Sequence, residues 1–120
     1  MKRVLVAEDD KVICRLLAIL LEQNGCQVAR AHDGADAIER LRETRFDAVI
    51  LDLMMPHVSG HVVVRYLEEK RPDEKVVLVI SAVRESELAE LAHSSVVHGV
   101  IQKPFDIHAV AREIGAVVGN

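Results

Sequence analysis

Ala48-Val49-Ile50-Leu51-Asp52 is an unbroken apolar run that ends on a carboxylate. A strand on a half-exposed sheet alternates apolar and polar residues, whereas a continuous run needs cover on both faces, the condition of a central strand in a parallel sheet. Val4 to Ala7, which leads into Glu8-Asp9-Asp10, and Val76 to Ile80, which leads into Ser81, have the same character. Cys26 to Ala31 mixes Val28 and Ala29 with Gln27 and Arg30 and suits an edge strand, and Gly99 to Gln102 is a fifth candidate.

Helical periodicity fills the gaps between these runs. Ile13, Leu16, Leu17 and Leu20 repeat at i, i+3, i+4, i+7, and Ile107, Val110, Ala111, Ile114 and Val118 do the same near the end. Ala35, Ile38 and Leu41 mark a second helix, and Val63, Tyr66 and Leu67 a third, which Pro72 closes. The fourth, around Glu85 to His93, has only Leu88, Leu91 and Ala92 to bury, so it is expected to be lightly held. Gly25, Gly34, Gly60 and Gly99 fall at or beside the expected turns. This βαβαβαβαβα order predicts one α/β domain over residues 1–120: a doubly wound five-stranded parallel sheet with right-handed crossovers and five helices.

Composition narrows the function. Half of the 120 residues are hydrophobic but only Phe46, Tyr66 and Phe105 are aromatic, so the core is expected to be aliphatic. Fifteen Lys and Arg against nineteen Asp and Glu give a formal charge of −4, which argues against direct nucleic-acid binding and anionic-membrane attraction. The aromatic stacking platforms of single-strand nucleic-acid sites are missing, and no apolar run is long enough for membrane insertion. Cys14 and Cys26 make no disulfide framework and read as small buried or half-buried hydrophobes. Acidic residues arrive by position 8, too soon for a signal peptide, so a cytoplasmic address is expected.

In sheets of this kind the site lies outside the carboxyl ends of the strands. There the sequence places Glu8-Asp9-Asp10, Asp52, Ser81 and Lys103-Pro104. Each residue has an ordinary structural use, Asp9 or Asp10 and Ser81 as caps, Asp52 as a turn starter, Lys103 as a solvated cation. Together they are harder to explain so, because crowded carboxylates repel one another unless a cation joins them. Lys103 and a divalent metal are the natural partners, and an all-oxygen donor set favours Mg2+ over Zn2+. An Asp beside Mg2+ and an ammonium is equipped to attack phosphorus and hold an aspartyl phosphate.

The stretches Val4-Leu-Val-Ala-Glu8-Asp9-Asp10, Phe46-Asp-Ala-Val-Ile-Leu-Asp52-Leu-Met-Met55-Pro56-His-Val-Ser-Gly60, Val79-Ile-Ser81-Ala82 and Gln102-Lys103-Pro104-Phe105 together resemble the receiver domain of two-component response regulators, including the chemotaxis-type single receiver. The resemblance covers essentially the whole chain. It implies the flavodoxin-like strand order 2-1-3-4-5, Asp52 as phosphoacceptor, and Glu8 and Asp9 as the acidic pair that holds Mg2+ with Asp52 and the Met54 backbone carbonyl. It implies Ser81 as the hydroxyl that turns toward the phosphoryl group, Lys103 as the lysine that pairs with it, and a cis bond before Pro104 at the turn. Asp10 is implied as a helix cap outside the ligand set. The function implied is a phosphorylation-dependent signalling switch rather than a metabolic enzyme. Its partners would be a sensor histidine kinase or phosphotransfer protein upstream and an unidentified protein downstream, read through the fourth helix, fifth strand and fifth helix, with homodimerisation on phosphorylation as one form of output.

Two departures from the family pattern bear on mechanism. Val100, three before Lys103, stands where receivers often carry the aromatic switch residue, and Met54 and Val83 stand where polar groups orient an attacking water. The apolar pair predicts slow self-dephosphorylation, and a half-life of only seconds in Mg2+ without a phosphatase would contradict it. A phosphorylation-independent interaction module is an alternative. An aspartyl-nucleophile phosphatase is another, disfavoured because Met54 occupies the place of the second acid such enzymes need. His57 and His61 are four apart, but Val-Ser-Gly between them predicts a loop rather than a metal-binding helical face. His93, His98 and His108 read as surface or interface residues without a paired acid, and Glu68 to Lys75 as a solvated helix end and loop.

Overall fold

A computed structural model of the chain describes residues 1–119. Strands and helices alternate as β1 (Arg3–Ala7), α1 (Lys11–Gln23), β2 (Gln27–Ala31), α2 (Gly34–Glu43), β3 (Ala48–Asp52), α3 (Gly60–Lys70), β4 (Val77–Ser81), α4 (Glu85–Leu91), β5 (Val97–Gln102) and α5 (Ile107–Val118). All strand pairs are parallel and the order is β2-β1-β3-β4-β5, the expected doubly wound sheet with β2 at an edge.

The unbroken apolar runs are explained by two core clusters, one on each face of the sheet. Leu5, Val49, Leu51, Val77 and Val79 pack with Ala37, Val63, Val64, Leu67 and Leu88 of α2, α3 and α4. Their neighbours in the same strands, Val4, Val6, Ile50, Leu78 and Ile80, pack with Cys14, Leu17 and Leu21 of α1 and Val110, Ile114 and Val118 of α5. Successive strand side chains point to opposite faces, so a strand covered on both sides has no position left for a polar residue until it reaches its carboxyl end. No aromatic residue is among the largest fully buried side chains, as the composition indicated, and Phe46 is the one aromatic in the buried core. Both cysteines are buried and free.

Several expectations shift. The buried face of α1 is Cys14, Leu17, Ala18 and Leu21, with Leu16 51% exposed, so the stripe is turned by about one residue from the one read off the sequence. Ala35 is exposed and Gly34 with Ala37 forms the buried side of α2. Gly99 lies inside β5 rather than at a turn: Val77 pairs with Val97 and Leu78 with Gly99, which leaves His98 as a bulged residue. α4 stops at Leu91 and Ala92 is exposed; Leu88 is its single buried residue, which agrees with a lightly held element. The segment from Glu68 to Lys75 is not merely solvated. Arg71 donates from Nη1 to the Phe46 carbonyl at 2.6 Å and from Nε to Glu74 at 2.6 Å, tying the end of α3 to the start of β3.

Candidate functional site

Four parallel strands deliver polar residues to one rim. β1 ends at Ala7, and the next residue, Glu8, is fully buried with its amide donating to the Ala31 carbonyl of β2 at 3.0 Å. Asp10 leaves that rim and caps α1, its carboxylate accepting from the amides of Val12 at 2.9 Å and Ile13 at 3.1 Å, the helix-cap role expected of it. Asp52, the last residue of β3, is 3% exposed, and its Oδ1 accepts from the Met54 amide at 3.2 Å. Ser81 ends β4 fully buried, and its carbonyl accepts from the Lys103 amide at 2.8 Å. The Lys103-Pro104 peptide is cis.

Lys103 organises this rim. Its Nζ donates to Glu8 Oε1 at 2.6 Å and to Asp52 Oδ2 at 3.2 Å, joining residues from three strand ends. Carboxylate oxygens of Glu8, Asp9 and Asp52 lie within 4.8 Å of one another. Burial is the largest influence on Glu8 and pushes its carboxyl up to about 7, with repulsion from Asp52 adding to it and the Lys103 and Asp10 hydrogen bonds opposing it. Burial also works to lower the Lys103 ammonium, but the Glu8 hydrogen bond and the charges of Asp52 and Glu8 outweigh it and raise it above the ordinary lysine range. The rim therefore holds a fixed cation beside an acidic cluster that burial alone does not favour.

The structure brings together Glu8, Asp9, Asp52 and Lys103, and sets Ser81 beside them at the next strand end through the Lys103 amide. The Ser81 hydroxyl accepts from the Val83 amide at 3.4 Å. Met54 is 62% exposed, and Val83 and Val100 are half-buried against the α2–α4 side of the core. Two of the histidines differ from their sequence reading. His98 Nε2 lies 3.3 Å from Glu113 of α5, so it has the acid partner that its neighbours in sequence lack, and His61, the second residue of α3, lies 3.2 Å from Glu87 of α4. His57 sits in the β3–α3 loop with φ 67°, apart from His61 on the helix, as the intervening Val-Ser-Gly suggested.

Two glycines that sequence spacing placed at turns have a more specific use. A Cβ on Gly60 would stand 2.6 Å from the Asp52 carbonyl oxygen and 2.7 Å from Leu53 Cα, so only glycine lets α3 start against the end of β3. A Cβ on Gly34 would stand 2.1 Å from the Val58 carbonyl oxygen, where α2 meets the loop that follows Asp52. Gly60 thus sits against the Asp52 backbone itself, and Gly34 against the loop that follows it.

The chain is similar in sequence and fold to known proteins. The family model of the response regulator receiver domain matches residues 4–114. The chain is 34% identical over 116 residues to the response regulator receiver protein CpdR of Brucella abortus, covering 95% of this chain and 94% of that one. It is 29% identical over 119 residues to the CAI-1 autoinducer sensor kinase/phosphatase CqsS of Vibrio cholerae, spanning 98% of this chain but 17% of that larger protein. Among solved structures, the Francisella response regulator 1452 receiver domain superposes with a TM-score of 0.89 at 26% identity over 99% of this chain and 98% of its own. TrrA of Thermotoga maritima, in complex with Mg2+-BeF, does so with 0.83 at 28% identity over 98% and 99%. A sheet that gathers its acids and one lysine at a single rim, matched along its length by these proteins, makes the chain a member of the response regulator receiver domain family of two-component signalling.

Proposed function

We propose that Asp52 accepts a phosphoryl group from the phosphohistidine of a sensor histidine kinase or phosphotransfer protein, and that the resulting acyl phosphate biases the α4-β5-α5 surface between two states with different affinity for a downstream protein. The observation that carries this reading is the double contact of Lys103 Nζ with Glu8 and Asp52 beside Asp9. An oxygen of Asp52 would form the new bond to phosphorus as the phosphorus–nitrogen bond of the donor breaks. The departing imidazole keeps the electron pair and takes a proton. Lys103, in contact with Asp52, would offset the charge that accumulates on the transferring oxygens, and Ser81, released from the Val83 amide, would donate its hydroxyl to one of them.

The donor set suits magnesium: hard carboxylate oxygens of Glu8, Asp9 and Asp52 in mutual reach, with the Met54 backbone carbonyl proposed as a further ligand. When bound, the ion would supply Lewis-acid neutralisation of the phosphoryl oxygens. Around the rim, Val12 at 68%, Leu16 at 51% and Met54 at 62% exposure give a donor protein an apolar surface on which to dock. No helix among the described residues is long and apolar enough to cross a membrane. A cytoplasmic domain over 1–120 that acts by protein binding, as a monomer or a phosphorylation-dependent homodimer, completes the reading.

Glu8 gives this reading a pH signature. A carboxyl raised from 4.5 to about 7 contributes its full stabilisation below about 4.5 and loses it as pH rises through about 7. A metal needs the ionised form and competes with that proton. The rise in Tm produced by saturating Mg2+ should therefore be larger at about pH 8 than at about pH 6. An equal or smaller rise at the higher pH would contradict the assignment of Glu8. The function itself is tested by incubation with a small phosphodonor such as phosphoramidate: labelling that is base-labile and prevented by chelating the metal is expected, and labelling that persists in chelator would count against it.

A further inference from the structure

The Val83 peptide is held from both sides. Its amide donates to Ser81 Oγ at 3.4 Å, and its carbonyl accepts from Gln102 Nε2 at 3.1 Å. Gln102 is the last residue of β5, immediately before Lys103, while Val83 lies in the loop between β4 and α4. One side chain thus bridges the strand end that carries the lysine and the loop that carries the hydroxyl. Apart from the packing of half-buried Val83 against the core, little else fixes that loop. Arg84 makes no side-chain cap for α4, Ala82 is exposed, and Leu88 is the only buried residue of the helix that follows. His61 and Glu87, 3.2 Å apart, tie the first turn of α4 to α3 through groups that are 39% and 44% exposed, where an ion pair adds little.

We propose that Gln102 is a positioning residue that clasps the β4–α4 loop in its resting place and so sets how readily Ser81 leaves Val83 for a phosphoryl oxygen. The proposal rests on the phosphoacceptor reading of Asp52. Turning the Ser81 hydroxyl toward Asp52 gives up the Val83 amide, and any accompanying shift of the loop must also stretch or break the Gln102 bond. That bond stabilises only the resting arrangement, so its loss shifts the population toward the arrangement that binds the phosphoryl group. Val100, one strand position behind on the same side of β5, has no polar group with which to do this.

The test compares the full chain with Gln102→Met, which keeps length and removes the donor, by titrating beryllofluoride in Mg2+ and by amide hydrogen exchange over residues 82–91. Gln102→Met should bind beryllofluoride about two- to tenfold more tightly, the range of one net hydrogen bond, and exchange faster at the start of α4. Unchanged or weaker affinity with a lowered Tm would overturn the proposal, because a side chain that only supports the fold would not improve ligand binding. If the native chain itself fails to bind beryllofluoride, the Asp52 reading fails. Exchange over 82–91 then still judges the clasp, and equal exchange in the two chains overturns it.

Discussion

Lys103→Met should lower the free energy of unfolding by about 3 kcal/mol at about pH 8, the scale found when one partner of a buried ion pair is removed. The reason is the placement of its two acceptors: the side chain of Glu8 is 0% exposed and that of Asp52 4%, so neither can replace the lysine with water. The loss should shrink as pH falls toward about 5, because Glu8, already raised to about 7 by burial with the lysine present, then takes up a proton and no longer demands a countercharge. Urea unfolding of both chains at the two pH values checks this. A loss that is the same at both would mean that the charge of Glu8 is not what the lysine offsets. In a domain whose total stability is on the order of 5–15 kcal/mol, the effect at high pH is severe enough to leave part of the population unfolded at 37 °C.

The second large effect is expected at Gly60. Alanine there would place its methyl 2.6 Å from the Asp52 carbonyl oxygen and 2.7 Å from Leu53 Cα, both backbone atoms of a buried strand end that cannot turn aside as a side chain can. α3 must move outward, straining the hydrogen bond from the Gly60 amide to the Leu53 carbonyl, now 3.0 Å, and drawing Asp52 out of line with Lys103. Gly60→Ala should therefore destabilise by about 2 to 3 kcal/mol. It should also slow labelling of the folded protein by a small phosphodonor by as much as about 100-fold, the penalty for a misplaced reacting group. Gly99→Ala is the matched control, since its methyl would meet nothing nearer than Leu78 Cδ1 at 3.7 Å. It should be close to neutral. Equal losses at both glycines would show that chain flexibility, and not the close approach at Asp52, is what Gly60 provides.

Much of the architecture was legible because the physics that fixes it is local. A strand covered on both faces cannot carry polar residues before its end, so Val4 to Ala7 and Ala48 to Leu51 declare themselves, and the first polar residue after each run, Glu8 and Asp52, marks the rim. Convergence of those rims follows from parallel topology, which is why Glu8, Asp52 and Lys103 could be grouped before any distance was known. The rotation of α1 could not be read in the same way. Residues 12–14 and 16–21 are all apolar, so the helix is greasy around most of its circumference and periodicity does not choose between a face centred on Leu16 and one centred on Leu17 and Ala18. The tertiary contact of α1 with α5 and the sheet makes that choice. Partnerships such as Gln102 with Val83, His98 with Glu113 and His61 with Glu87 were equally hidden, because each joins residues 15 to 26 positions apart whose contact depends on strand register and side-chain direction. The bulge at His98 is an example: it shifts β5 by one residue against β4, a change that no count along the chain reveals.

The central claim is that Asp52 is the residue that becomes phosphorylated. It is tested most directly by intact-mass measurement of the native chain and of Asp52→Asn after incubation with a small phosphodonor and Mg2+. The account predicts one added phosphoryl group on the native chain and none on the variant. Equal labelling of the two, or no labelling of either, would contradict it.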